Sequence, residues 1–148
     1  MPAEYWTASQ GFDSFLRNVR DTCMLQTHQQ AYHTLRGALH VFCSHLSINQ
    51  ALAFASVMPP VTRAIFVEGW QPSDNPPGFP GRSELQQEVK SILRDHNPAS
   101  DCAIADVAAA LWRSSMDNDV FDKVLKNLPD GAAEFWCADQ QTRTRNRV

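Results

Sequence analysis

The 148-residue sequence has no long apolar run: no stretch approaches the ~20 apolar residues that a membrane-spanning helix needs. The first ten residues, MPAEYWTASQ, have neither the basic nor the apolar segment of a secretory signal. No stretch alternates apolar and polar residues for long enough to indicate a strand. These absences argue against a membrane protein and against a sheet, and we expect a soluble, cytoplasmic protein.

The motifs that hold nucleotides and metal ions are missing as well. The glycines form neither G-x-G-x-x-G nor a P-loop, so a phosphate group has no backbone cradle. The cysteines form no C-x-x-C pair, and the histidines form no H-E-x-x-H motif. His33 and His40 share one helix face, but they lie about 10 Å apart along its axis. We therefore expect no metal site, no cofactor and reduced thiols.

A catalytic constellation is equally hard to find. His40 and Cys43 lie three residues apart and could pair, but Cys43 lies beside an apolar stripe, which favours a neutral, buried thiol. The histidines of this segment are expected on a solvent- or partner-facing side, opposite Leu35. We identify no catalytic residue, so the sequence leaves enzymatic activity open and favours its absence.

Basic residues are scarce outside the last eight positions. The formal net charge is −3, and the terminal QTRTRNRV contributes three arginines. Without them, 10 basic side chains remain against 16 acidic ones. Binding to nucleic acid needs clustered Lys and Arg, so we expect no nucleic-acid partner. We interpret residues 141–148 as a basic, flexible tail.

What the sequence does contain is a series of helix signals. Four capping boxes each precede an apolar helical period; they start at Thr7, Thr27, Ser47 and Ser83. Pro98 and Asp117 indicate two more helix starts. The longest break, QPSDNPPGFPGR at residues 71–82, is rich in proline and glycine and predicts a crossing between two helical halves.

The two halves repeat one pattern. Apolar residues of the first half match apolar residues of the second half that lie 73, then 72, then 70 positions later. This offset changes only between predicted helices. The last segments both place a proline after an apolar residue, at Met58-Pro59 and at Leu128-Pro129. Loops absorb such length changes at little cost, so the pattern predicts a repeated unit of about four helices.

These signals predict an all-α fold, a compact orthogonal helical bundle made of two pseudo-repeats of about four helices each. We predict a single domain over residues 1–140. Within it, the first pseudo-repeat spans about 9–70, the crossing 71–82 and the second pseudo-repeat about 83–138. Each half has one-sided helices that are too short to be stable alone, so packing the halves together would bury both apolar faces.

The segments FDSFLRNV, AYHTLRGALHVF, FVEGWQP and NLPDGAAEFW resemble the DUF2267 family over residues 11–136. The most specific parts are Glu68-Gly69-Trp70 and the two prolines, Pro59 and Pro129. The first break reads SVMPP, where the family pattern leads us to expect a polar residue, an apolar residue, Leu and Pro. The resemblance implies an all-helical fold, and it supplies no catalytic residues.

The candidate binding residues surround the start of the crossing: Arg63, Glu68, Trp70 and Phe79. Aromatic side chains beside a fixed loop can form an interaction surface, or they can fasten the crossing to the core. Our first hypothesis is a non-enzymatic protein-interaction or regulatory module with an unidentified protein partner. The alternative is a ligand-binding or enzymatic bundle with a pocket at the seam between the repeats.

Overall fold

The computed structural model describes residues 3–22, 24–73, 75–76, 78–93, 103–112 and 118–136. Within these residues the fold is all-α, as predicted, with eight helices and no strand. The helices are α1 (Ala3–Thr22), α2 (His28–Ser44), α3 (Ile48–Ala55), α4 (Pro60–Val67), α5 (Arg82–Leu93), α6 (Ala103–Trp112), α7 (Asn118–Lys126) and α8 (Asp130–Phe135). None of the described helices is both long and apolar enough to cross a membrane.

Two of the predicted capping boxes form as expected. Thr27 Oγ1 accepts a hydrogen bond from the Gln30 amide at 3.1 Å, and Gln30 Oε1 accepts one from the Thr27 amide at 3.3 Å. Ser47 and Gln50 make the same reciprocal pair at the start of α3. Each box satisfies two amides that the first helical turn leaves without a partner.

The other two boxes were wrong. Helix α1 begins at Ala3, so Thr7 lies inside the helix. Helix α5 begins at Arg82, and the carbonyl of Gly81 accepts from the amides of the first turn. Gln86 is instead buried and accepts a hydrogen bond from the Ile104 amide at 3.0 Å, in the first turn of α6. A tertiary contact has therefore recruited a side chain that the local pattern assigned to its own helix.

Several expectations fall outside the described residues. These are the helix starts at Pro98 and Asp117, the thiols of Cys23, Cys102 and Cys137, and the tail 141–148.

The two proline corners have nearly the same backbone geometry. Pro59 precedes α4 with φ −58° and ψ 155°, and Pro129 precedes α8 with φ −54° and ψ 152°. The residues before them, Met58 and Leu128, are both buried. Proline disfavours a helical conformation at the residue before it, which ends the preceding helix at each corner.

The helix pairings follow one scheme in each half. In the first half α1 packs on α2 and α4, and α4 also packs on α2 and α3; in the second half α5, α6, α7 and α8 make the corresponding pairs. Between the halves, α1 packs on α6 and α2 on α5, while α2 meets α6 and α3 meets α7. Exchanging each helix with its counterpart leaves this set of principal pairings unchanged. That is the pattern a twofold repeat predicts, and the superposition of the halves stays a prediction.

Aromatic rings fill the centre of the core. The Phe42 ring of α2 lies 4.7 Å from Phe54, 5.0 Å from Phe135 and 5.3 Å from Trp136, between ring centroids. The indole nitrogen of Trp112 donates to the Trp136 carbonyl at 2.6 Å. Rings at these separations contribute beyond their buried area. Helices from both halves therefore close on one shared core.

Candidate interaction site at the end of helix α4

The chain turns sharply where α4 ends, and the turn sets the position of Trp70. Gly69 has a φ of +69°, a left-handed conformation that glycine adopts without strain. The amide of Trp70 donates to the Val67 carbonyl at 3.1 Å, and the amide of Glu68 donates to the Ile65 carbonyl at 3.2 Å. These bonds close the helix end, so Glu68 and Trp70 leave the helix in fixed directions.

A groove of about 230 Å³ opens between this turn and the last turns of α2. We call it the corner groove, and it is lined by His40, Cys43, Ser44, Phe66, Glu68, Gly69, Trp70 and Gln71. Trp70 is half-buried and packs against the core, whereas Gln71 is exposed.

The carboxylate of Glu68 supplies the negative charge of the groove. Its side chain is 51% exposed, and the Nε atom of Arg36 lies 3.7 Å from its Oε2 atom. An exposed pair at this separation contributes at most about 1 kcal/mol, since water screens both charges. The carboxylate therefore remains available to a cation from another molecule.

His40 is held by the backbone of α4. Its Nε2 atom lies 2.8 Å from the Ile65 carbonyl oxygen, which can only accept, so Nε2 carries a hydrogen. His40 is half-buried and also lines the open corner groove, which fits the solvent- or partner-facing side expected for the histidines. That expectation is wrong at His45, which is 5% exposed, whereas His33 is half-buried with its ring against Tyr32.

Cys43 is a neutral thiol, as the sequence predicts. It is 2% exposed, and desolvation by burial raises its pKa to about 12. A nucleophilic cysteine needs a lowered pKa, usually from a neighbouring cation. With the Nε2 atom of His40 committed to Ile65, Cys43 is not activated. The hydroxyl of Ser44 donates to the Val41 carbonyl at 2.7 Å, so it too is engaged with the backbone.

Two of the four predicted binding residues line the corner groove, Glu68 and Trp70. Arg63 instead donates to the carbonyls of Ala55, at 2.9 Å, and Met58, at 3.1 Å. These bonds satisfy carbonyls at the end of α3, so the guanidinium group stabilises the α3–α4 corner.

Phe79 packs away from the groove, in the aromatic core. Its ring centroid lies 5.5 Å from that of Phe42 and 5.4 Å from that of His45. A Cβ atom at Gly131 of α8 would lie 2.8 Å from Phe79 Cγ and closer still to its Cβ. Phe79 therefore fastens the crossing to α2 and α8, and the crossing ends at Gly81, before the first residue of α5.

The described residues hold no cluster of three His, Cys, Asp or Glu side chains that could bind one metal ion.

A family model matches residues 12–135, most of the chain, and its description is "Uncharacterized conserved protein (DUF2267)". The chain belongs to the DUF2267 family. No curated protein matches it.

The candidate binding residues left out five side chains that line this DUF2267 corner groove: His40, Cys43, Ser44, Phe66 and Gln71. The residues of α2 reach the groove because α2 packs on α4. A local period marks which residues share a helix face, but it does not say which helix will meet that face. Among these residues, only Gln71 could have been predicted from the sequence to lie at the groove, because it directly follows Glu68-Gly69-Trp70.

Proposed function

We propose that this DUF2267 chain is a non-enzymatic protein-interaction module that binds its partner at the corner groove. One observation carries the proposal: a half-buried indole, that of Trp70, lies beside an exposed carboxylate, that of Glu68, on the same groove. Tryptophan is enriched among the residues that dominate binding energy, and it loses little conformational freedom on binding.

The volume of the groove supports a protein partner over a small molecule. Pockets for small molecules usually enclose about 300–1,000 Å³, and this groove is smaller, at about 230 Å³. That space suits one apolar side chain. We propose a partner helix or loop that inserts one apolar side chain beside Trp70 and presents a cation to Glu68.

The chemistry of the groove supports a role other than catalysis. The raised pKa of the Cys43 thiol, the backbone contact of His40 and the backbone hydrogen bond of Ser44 leave these groups without activation. The acidic balance of residues 1–140 supports a partner other than nucleic acid. We also propose that the protein acts in the cytoplasm.

The alternative, a ligand-binding or enzymatic pocket at the seam between the halves, has less support. Where the seam is described, apolar groups meet at its centre, and its polar groups are paired across it: Asn18 of α1 donates to the Ala110 carbonyl of α6, and His45 contacts Glu88 of α5. Gly37 of α2 packs on Leu93 of α5, and the rings of Phe54 and Phe121 lie 5.9 Å apart between centroids. A ligand site would need several convergent polar groups at this seam.

Site-specific photo-crosslinking in the native cell tests the proposal. A benzophenone amino acid replaces Gln71, exposed on the groove. In a matched control it replaces Gln29, also exposed, which lies about 16 Å along α2 from the groove residue His40. We expect one discrete protein adduct from position 71 that position 29 does not give. Adding Glu68→Lys should abolish that adduct while lowering the thermal midpoint by no more than about 4 °C, the effect of losing the exposed pair with Arg36.

Three results would overturn the proposal. The first is the absence of an adduct at position 71. The second is the same adducts from both positions, which would indicate contact with abundant proteins at random. The third is an adduct that survives both Glu68→Lys and Trp70→Ala in folded protein, because the groove side chains would then not hold the partner.

A further inference from the structure

The indole of Trp70 has binding capacity that the described part of the chain does not use. Trp112 and Trp136 pack on phenyl rings, at 4.7 and 4.8 Å between ring centroids. Trp70 makes no such ring contact within the described residues, and its Nε1 atom makes no hydrogen bond there. The indole packs on the core with part of its surface, so the part on the corner groove is left as a π surface for another molecule.

The carboxylate of Glu68 is also largely unused. Within the residues that the structure describes, it makes no hydrogen bond, and its one ion pair is the 3.7 Å contact with Arg36. The two oxygens of a carboxylate together offer about four acceptor positions. Glu68 can therefore accept a directed pair of hydrogen bonds from a donor in the groove.

Open space joins the indole to the carboxylate. Gly69 separates Glu68 from Trp70 in the chain, and nothing lies within 4 Å of the position that a Cβ atom would take there. The groove has a volume of about 230 Å³, which suits one side chain. A single side chain that lies over Gly69 can thus contact both groups.

We propose that the side chain that enters the corner groove is an arginine of the partner protein, with its guanidinium group on the Trp70 indole and its N–H groups on the Glu68 carboxylate. This inference rests on the proposed function, and it assigns the apolar contact and the cation named there to one residue. The methylene groups of arginine supply the apolar contact, and its guanidinium group supplies the charge.

Arginine fits this pair of groups better than other side chains do. Its planar guanidinium group stacks on an aromatic face and donates two parallel hydrogen bonds to a carboxylate. The ammonium group of lysine is more strongly hydrated and has no plane to stack. A leucine would leave the carboxylate without a donor, and an acidic side chain would be repelled by it. Charge complementarity therefore identifies the occupant.

Arg36 is the charged side chain that opposes an incoming cation. It lies on α2, one turn before His40, and it is not among the residues that line the groove. Its guanidinium group shares the Glu68 carboxylate with the ligand and repels a second cation. Loss of the Glu68 charge should therefore weaken binding, whereas loss of the Arg36 charge should strengthen it. A general loss of the fold would weaken binding in both cases.

Selection from a library of random short peptides displayed on phage, with the intact chain as the target, tests the inference. We expect the selected peptides to share an arginine at one position. A synthetic peptide of the selected sequence is then compared with a copy that carries citrulline there, a residue of nearly the same shape without the charge. Citrulline should weaken binding about tenfold, and lysine should bind less tightly than arginine.

Variants of the chain locate the contact. Glu68→Gln should weaken binding of the arginine peptide about tenfold, and Arg36→Gln should strengthen it. Glu134→Gln removes an exposed carboxylate of α8 that does not line the groove, so it should leave the affinity unchanged. A Glu68→Lys chain should select Asp or Glu at the position where the wild type selects arginine.

Three results would overturn the inference. These are a wild-type selection without a shared arginine, a citrulline peptide that binds as tightly as the arginine peptide, and an Arg36→Gln chain that fails to bind the peptide more tightly. The crosslink at position 71 decides the proposed function separately. An adduct there without any preference for arginine would mean that the partner inserts another side chain. Arginine peptides that bind the groove while the cell gives no adduct would overturn the proposed function alone.

Discussion

Cys43 shows how burial decides the chemistry of a single side chain. The same element, α2, places His40 within one turn of it, which is the spacing of a possible thiolate pair. The backbone of α4 occupies the Nε2 atom of His40, and desolvation raises the pKa of Cys43 from 9.0 to about 12. Packing has therefore removed a reactivity that the sequence spacing permits.

The thiol of Cys43 should make stability depend on pH in the alkaline range. The unfolded chain releases its proton near 9.0 and the folded chain near 12, so the folded state binds more protons between these values. The resulting stabilisation is complete below about pH 9 and is lost as the pH rises toward 12. Relative to Cys43→Ala, we expect the wild type to lose about 1 kcal/mol between pH 9 and pH 10.

Denaturant titrations of both proteins at several pH values measure that difference, since every other titrating group is common to the two. Parallel pH profiles for wild type and Cys43→Ala would contradict a raised pKa. A thiol reagent that labels native Cys43 at pH 8 as fast as unfolded protein would contradict its burial.

At the scale of elements, local signals predicted the parts of the fold that neighbouring residues control. The boxes at Thr27 and Ser47 form because their partners lie three residues away on the same helix. The box at Ser83 fails because Gln86 bonds to Ile104, 18 residues away. His45 was misplaced for the same reason, since its partners lie 33 and 43 residues along the chain.

A glycine-to-alanine substitution should have opposite effects on stability at two positions: Gly131, which contacts Phe79 of the crossing, and Gly11, which faces open space. Gly131→Ala would place a Cβ atom against Phe79 Cβ, which is fixed to the backbone, so the crossing must shift. Overpacking of this kind costs about 1–3 kcal/mol. Gly11→Ala adds its methyl group to open space on α1 and should stabilise the chain by about 0.5–1 kcal/mol.

The midpoints of urea unfolding for the two variants and the wild type measure these effects, with equal slopes confirming that only stability changed. A Gly131→Ala protein as stable as the wild type would mean that Phe79 does not lie over α8.

At the scale of the whole molecule, the candidate site was only half predictable. Glu68 and Trp70 follow a helix end that the sequence marks with a glycine, so they were found. Arg63 and Phe79 were grouped with them by proximity in the sequence, but Arg63 bonds to the α3–α4 corner and Phe79 enters the core. The packing of the helices decides on which surface a side chain lies. The repeat is the strongest signal in the sequence for how the helices pack.

If the repeat is real, the two halves should superpose with the offsets read from the sequence. Residues 12–66 should overlay on 85–136 with shifts of 73, 72 and 70, each change falling in a loop. The nearly identical backbone angles at Pro59 and Pro129 and the exchange symmetry of the helix pairings motivate this expectation. A twofold arrangement would also bury the apolar stripe of each half on its counterpart, as α3, α4, α6, α7 and α8 require because each is too short to be stable alone.

The superposition of the two halves in a crystal structure measures this. The best overlay should use these offsets, should place Met58 on Leu128, and should worsen when the register is moved by one helical turn of four residues, which serves as the internal control. A different order of helices in the two halves would contradict the repeat, as would a better fit in another register. In either case the shared pattern of apolar residues and prolines would reflect only that each half is built from short amphipathic helices.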